Sequence, residues 1–151
     1  MEIVIIILGF IIDRLTKLWA VKELSTGKEI VIIKDFFSFS YLENRGAAFG
    51  MFQNKQFVLI ILTSIVALAV IYYLIRFKPK NIFMRISLAL IISGALGNIF
   101  DRVRFRYVVD FIYVHYQSHS FPTMNVADMM VTVGTFLMAF FLLKEDLNGN
   151  K

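Results

Sequence analysis

The sequence has no cysteine, so disulfide frameworks, thiolate metal sites and cysteine nucleophiles are excluded. It is also poor in charge. Asp, Glu, Lys and Arg make up 18% of the 151 residues, against ~25% in typical globular chains. There is no phosphate-cradling Gly-rich loop and no Ser-centred elbow, which removes the common nucleotide-binding and serine-hydrolase patterns. No internal repeat, low-complexity tract or second domain is visible. What abounds is apolar: hydrophobic residues reach 58% against ~45–50%, 16 residues are Phe, and mean hydropathy is +0.71. A water-soluble protein of 17.5 kDa has too much surface to hide that material, and disorder is incompatible with it. The composition implies a lipid environment. The net charge of +5 comes from 16 Lys and Arg scattered between apolar blocks, with no basic stripe beside stacking aromatics. Nucleic acid is therefore not an expected partner, and the basic excess reads as topology.

A helix crossing the hydrocarbon core needs ~20 mostly apolar residues. Phe57 to Ile75 is free of charge and broken only by Thr63 and Ser64. Met84 to Phe100 carries only Arg85, at its edge. Met129 to Leu143 is uncharged, and it lengthens if Val126–Asp128 belongs to the same helix. An N-terminal block runs from Ile3 to Ile12, meets Asp13, Arg14 and Lys17, and resumes through Leu18–Val21. Glu at position 2, with Trp19 and Lys22 where a cleavage site needs small residues, argues for a retained first span rather than a signal peptide. Four spans are expected.

The connection from Arg76 to Arg85 holds Arg76, Lys78, Lys80 and Arg85 with no acid. The positive-inside rule places it in the cytoplasm, which puts both termini there and the connections Lys22–Gln56 and Asp101–Asp128 on the outer face. Arg102, Arg104 and Arg106 then lie outside, against the rule. Glu29–Phe52 is rich in Ile, Val, Phe and Tyr, with Gly46 and Gly50 late in the run. It reads as two or three short strands with turns at Lys34–Asp35 and Glu43–Gly46. Tyr107–Val114 is also strand-like and is followed by a polar stretch ending at Pro122.

Ionisable residues in a span cost ~2.5–3.5 kcal/mol each on insertion scales, so each needs a reason. Asp13 and Lys17, four apart, face each other on one helix surface, as an ion pair near the membrane surface or as part of a site. Gly94, Asn98 and Asp101 or Arg102 share a helical face. With Gly97 they form either a packing seam ending in a snorkelling arginine or the wall of a site. Asp110 is enclosed by apolar β-formers in Tyr107–Ile112, which raises its pKa. Asn125 and Asp128 face together where the last span begins, and alone Asp128 reads as a helix cap. Both acids fall at the same boundary, however, and two carboxylates meeting in a low-dielectric place share a proton, giving one acid and one base able to activate a water. His115 and His119 have helical metal spacing but lack the zinc-protease Glu, and they read as solvated loop histidines.

Four blocks now fall into a familiar order. They are Asp13-Arg14-Leu15-Thr16-Lys17; Asn44-Arg45-Gly46-Ala47-Ala48-Phe49; Gly94 to Arg102 leading into Val108-Val109-Asp110-Phe111; and Asn125-Val126-Ala127-Asp128. Together, over nearly the whole chain, they resemble the lipoprotein signal peptidases, the signal peptidase II family. The resemblance implies a single integral-membrane peptidase domain over residues 1–151. It implies an all-α membrane protein of four transmembrane helices with a small extracytoplasmic β-cradle. It further implies an aspartyl endopeptidase of the bacterial cytoplasmic membrane, with Asp110 and Asp128 catalytic and the active site at the outer face. The implied substrates are diacylglyceryl prolipoproteins cut just before the lipidated cysteine, whose tails stay among the membrane lipid. The implied inhibitors are globomycin-type peptides, and the implied state is a monomer without cofactor or metal. Asn44, Asn98 and Asn125 are expected to orient the acids or hold the substrate backbone. Arg102 is expected to brace the site by charge-assisted hydrogen bonds, and Asp13, Lys17, Gly46, Gly94 and Asp101 to support it. The chain departs from the family where Arg106 and Ser93 replace frequent glycines and Met124 a frequent Phe; a glycine at 106 adopts backbone angles that Arg disfavours. Read without the resemblance, the spans also suit a small exporter of cationic compounds, coupled through Asp13 or another intramembrane acid, or a non-enzymatic assembly subunit.

Overall fold

A computed structural model describes residues 1–47, 51–116 and 119–149. Ala48 and Phe49 of the second block, and Gly50, lie outside the described residues. Among those described there are four helices, α1 (Glu2–Leu24), α2 (Gln56–Phe77), α3 (Ile82–Phe105) and α4 (Val126–Gly149). Four strands accompany them: β1 (Ile30–Ile33), β2 (Phe37–Asn44), β3 (Val108–Tyr116) and β4 (His119–Ser120).

Among the described residues three helices are long and apolar enough to cross a membrane: α2, α3 and, over Val126–Lys144, α4. The fourth expected span, α1, falls short of the same measure because Asp13, Arg14 and Lys17 interrupt its middle. Helix α3 is the centre of the bundle, with 61% of its most apolar stretch buried against 11% for α2 and for α4. Its small residues make that position possible. A Cβ on Gly94 would collide with the backbone carbonyl of Ala127, so α3 and α4 touch main chain to main chain there.

Helix α3 extends beyond the stretch expected from charge. Asp101 and Arg102, which the sequence offers both as the end of this span and as the start of the connection, are buried within the helix, and it stops at Arg106, whose φ of +66° is left-handed. Its N–H still reaches the carbonyl of Arg102 at 3.2 Å. The residue takes the glycine-favouring conformation despite its side chain. At the other end of α4 the open boundary is settled: Val126–Asp128 is its first turn.

The strands form one antiparallel sheet in the order β1-β2-β3-β4. Of the two or three short strands expected in Glu29–Phe52, two are present among the described residues, β1 and β2, joined through a turn in which Asp35 has φ +58°. Strand β2, from the first long connection, pairs with β3 from the second, with Leu42 opposite Asp110 and Asn44 opposite Val108. Both connections therefore lie at one end of the bundle. Strand β4 is a correction to the expected loop: Tyr116 pairs with His119 and His115 with Ser120, which places the two histidines on facing strands rather than one helical face. The sheet is anchored to the end of α1, where Ala20 and Leu24 bury against Val109 and Phe111. Trp19 meets Phe39 and Phe111 edge-on at 5.4 and 6.0 Å between ring centroids. Such pairs add ~0.5–1.5 kcal/mol each beyond their burial.

Candidate active site

Asp110 is in β3 and wholly buried. Its Oδ2 accepts a hydrogen bond from Asn44 Nδ2 at 2.8 Å and its Oδ1 one from Asn125 Nδ2 at 2.6 Å. Both amides are held in that orientation by what their oxygens accept. Asn44 Oδ1 takes the N–H of Gly46 at 2.9 Å, and Asn125 Oδ1 takes the N–H of Asp128 at 2.9 Å. An amide whose oxygen is occupied has only its N–H groups left to offer the acid.

Asp128 is both cap and candidate acid. The N–H of Asn125 returns a bond to Asp128 Oδ2 at 3.2 Å, so the two residues cap α4 reciprocally. The other oxygen, Oδ1, accepts from Asn98 Nδ2 at 2.7 Å. Asn125 thus ties the two carboxylates together, donating its side-chain amide N–H to Asp110 and its backbone N–H to Asp128. Both acids line one mainly apolar cavity of about 610 Å³, shared with Asn44, Asn98 and Arg102. Thr63 of α2 and Val131 of α4 wall its bundle side.

Behind the cavity sits a second layer of charge. Lys17 Nζ lies 3.0 Å from Asp13 Oδ2, 2.9 Å from Asp101 Oδ2 and 3.0 Å from Asn98 Oδ1. Arg14 closes the group, 2.5 Å from Asp101 Oδ1 and 2.9 Å from Asp13 Oδ2. Two acids and two bases balance, as burial requires. The group also reaches the main chain: Asp13 Oδ1 accepts the N–H of Ala127 at 3.0 Å, and Asp101 Oδ2 that of Val109 at 3.3 Å. Asp13 and Lys17 are paired and buried, 0% and 2% exposed.

Two residues differ from expectation. Arg102 makes no hydrogen bond to either carboxylate among the described residues; it donates to the carbonyl of Gly46 at 3.2 Å, holding the chain that carries Asn44. Gly94 packs on Ala127, away from the cavity wall, as the seam reading has it. Gly97 is the glycine beside the charges, where an added Cβ would stand 2.6 Å from Asp13 Oδ2. Arg14 was not singled out from the sequence. The available signal was its place beside Asp13 in an otherwise apolar span, where an unpaired guanidinium needs an acid from elsewhere.

Burial pushes the Asp110 carboxyl up to about 7, and the negative charge of Asp128 adds to the effect. The bonds from Asn44 and Asn125, and the charge of Lys17, pull the other way. A carboxyl that keeps its proton near neutrality beside a second carboxylate has the division of roles that activating a water against an amide requires.

Known proteins resemble this chain over nearly its whole length. The family model described as signal peptidase II matches residues 5–144. The lipoprotein signal peptidase of Clostridium novyi (strain NT) is 58% identical over 146 residues, covering 96% of this chain and 99% of that protein. The lipoprotein signal peptidase of Clostridium tetani (strain Massachusetts / E88) is 57% identical over 147 residues, covering 97% and 94%. A solved structure described as a bacterial membrane enzyme superposes with a TM-score of 0.87 at 33% identity, covering 97% of this chain and 90% of that one.

Proposed function

The chain belongs to the signal peptidase II family, and from that premise we propose that Asp110 and Asp128 are its catalytic pair. It is a multi-pass membrane protein, mostly helical with a small sheet, and an aspartic endopeptidase that removes signal peptides from lipoprotein precursors. The exporter and assembly-subunit readings fall with that assignment. One observation carries the pair: the two acids face one cavity and both accept hydrogen bonds from Asn125.

The roles divide by environment. Asp128 lies in the first turn of α4, where the helix N-terminus favours a negative charge. Asp110 is bonded only by neutral amides. Asp128, ionised, takes a proton from water as the oxygen attacks the scissile carbonyl carbon, while Asp110 gives its proton to the carbonyl oxygen. On collapse Asp128 passes its proton to the departing nitrogen, and Asp110 recovers one from the tetrahedral hydroxyl. The bond cut lies just before the lipidated cysteine, and the acyl chains stay in the bilayer.

Helix α1 is proposed as the fourth span. Its exposed stripe of Ile3, Ile7, Ile11, Leu15 and Leu18 suits lipid, while its charges turn inward and neutralise one another. The basic connection from Arg76 to Arg85 then faces the cytoplasm with both termini, and the sheet and cavity face outward. Globomycin-type peptides are expected to occupy the cavity, and the chain to act as a monomer forming one domain.

The test is in-vitro processing of a diacylglyceryl precursor by the wild type and by Asp110→Asn and Asp128→Asn. Both variants should remain folded and lose cleavage. Wild-type turnover by both would overturn the pair.

A further inference from the structure

A groove runs along the outside of the bundle between α1 and α3. It holds about 650 Å³ and shares no residue with the catalytic cavity. Its walls include Ile6 and Phe10 of α1 and Leu96, Phe100 and Val103 of α3, and Arg104 is its one charged residue among those described. Packing fixes its floor. The Phe10 and Phe100 rings meet edge-on at 5.8 Å, and the Arg14 guanidinium lies 4.8 Å over the Phe100 ring.

Length and charge identify the occupant. Ile6 is level with Ser93, whose hydroxyl donates to its carbonyl at 3.0 Å. From Ser93 to Arg104 is eleven residues, or ~16 Å along the helix. That is half of the ~30 Å hydrocarbon core, the depth that one acyl chain spans. Arg104 is exposed near the sheet end of α3, its guanidinium 5.8 Å from the Phe105 ring. The arginine ion pairs among the described residues use Arg14, Arg45 and Arg85, which leaves Arg104 without an acid. In the orientation proposed above it also stands outside, against the positive-inside rule. A lipid phosphate supplies the missing anion at that level, and a guanidinium grips phosphate oxygens two at a time.

We propose that this groove binds one anionic phospholipid of the membrane, with an acyl chain lying between α1 and α3 and its phosphate held by Arg104. A zwitterionic headgroup carries an ammonium beside the same phosphate, so the site prefers lipids of net negative charge. The diacylglyceryl group of the substrate has no phosphate and gains nothing from Arg104. The inference is independent of the catalytic pair and rests on α1 being a span.

The experiment counts lipids retained on the protein by native mass spectrometry, after release from nanodiscs of equal parts phosphatidylglycerol and phosphatidylcholine with identical chains. The wild type should keep one phosphatidylglycerol in about fivefold excess over phosphatidylcholine, the preference that one arginine near an anionic surface supplies. Arg104→Gln should abolish the excess while still retaining a lipid. Val103→Trp, which fills the groove, should lose both lipids. Equal retention of the two lipids by the wild type, or an undiminished excess in Arg104→Gln, would overturn the proposal. So would unchanged lipid retention by Val103→Trp; a raised KM for the precursor in that variant would assign the groove to the substrate instead. The chain has no cysteine, so Ile11→Cys tests α1 separately: a membrane-permeant maleimide should label it and a water-soluble one should not. Labelling by the water-soluble reagent would remove the span, and this site with it.

Discussion

Lys17→Met removes one charge from the layer behind the active site while retaining most of the side chain's volume. Lys17 is 2% exposed, and its ammonium has three acceptors at 2.9–3.0 Å: Asp13, Asp101 and Asn98. Taking one partner from a buried ionic group costs ~3–5 kcal/mol, because the surviving charge is left unpaired. The lower end applies here. Arg14 still holds one oxygen of each acid, so the main loss falls on Asp101 Oδ2, which keeps only the 3.3 Å bond from Val109. We expect ~3 kcal/mol of destabilisation by denaturant unfolding in micelles. The double variant Lys17→Met/Asp101→Asn restores formal neutrality and should recover at least ~1 kcal/mol of it. A second effect reaches the chemistry. Lys17 and Asn125 together occupy Asn98 Oδ1, which leaves Asn98 Nδ2 to serve Asp128. Without Lys17 that orientation weakens, and processing per folded molecule should fall. A Lys17→Met protein within ~1 kcal/mol of wild type, or a double variant less stable than the single one, would refute the reasoning.

Asp110 holds its proton up to about pH 7 against an ordinary 3.8, so cleavage should decline as pH rises through about 7. The same shift governs stability. A raised folded pKa contributes stability that is complete below 3.8 and lost by the time pH passes 7, so the wild type should unfold more easily at pH 8 than at pH 5 in the same assay, and Asp110→Asn should flatten that dependence. Gly97→Ala should destabilise by ~1–3 kcal/mol and impair processing, since its Cβ would stand 2.6 Å from an Asp13 oxygen already tied to Lys17 and Arg14. Arg106→Gly should stabilise by ~1 kcal/mol, because the left-handed turn at φ +66° strains any residue with a Cβ; unchanged unfolding would show that the strain is relieved elsewhere.

What was legible in the sequence was whatever depends on local pattern. Uncharged runs marked α2, and most of α3 and α4, because a membrane span is an additive property of its residues. Alternating β-formers marked β2 and β3. Helical spacing placed Asp101 and Arg102 on the α3 face of Gly94 and Asn98, but the groups that satisfy their charges were not legible, because those partners arrive from elsewhere in the chain. Strand β4 escaped notice because two residues carry no periodicity, and only their pairing with β3 makes them a strand. Asp128 and Asn125 were readable as a cap from their spacing alone, and the structure shows that cap doubling as the link to Asp110.

By itself the sequence determined that this chain lives in lipid, that its polar residues are too costly to be incidental, and that four motifs occur in one family's order. Only the tertiary structure decided how those residues meet. It turned Asp13 and Lys17 from a local pair into a four-charge group with Arg14 and Asp101, gave Asp13 the N–H of Ala127, and took Arg102 to Gly46 instead of to an acid. The reason is physical: hydropathy and helical spacing act over a few residues, whereas a buried charge is satisfied by whichever groups the fold brings within 3 Å, and these lie as far apart in sequence as positions 13 and 127.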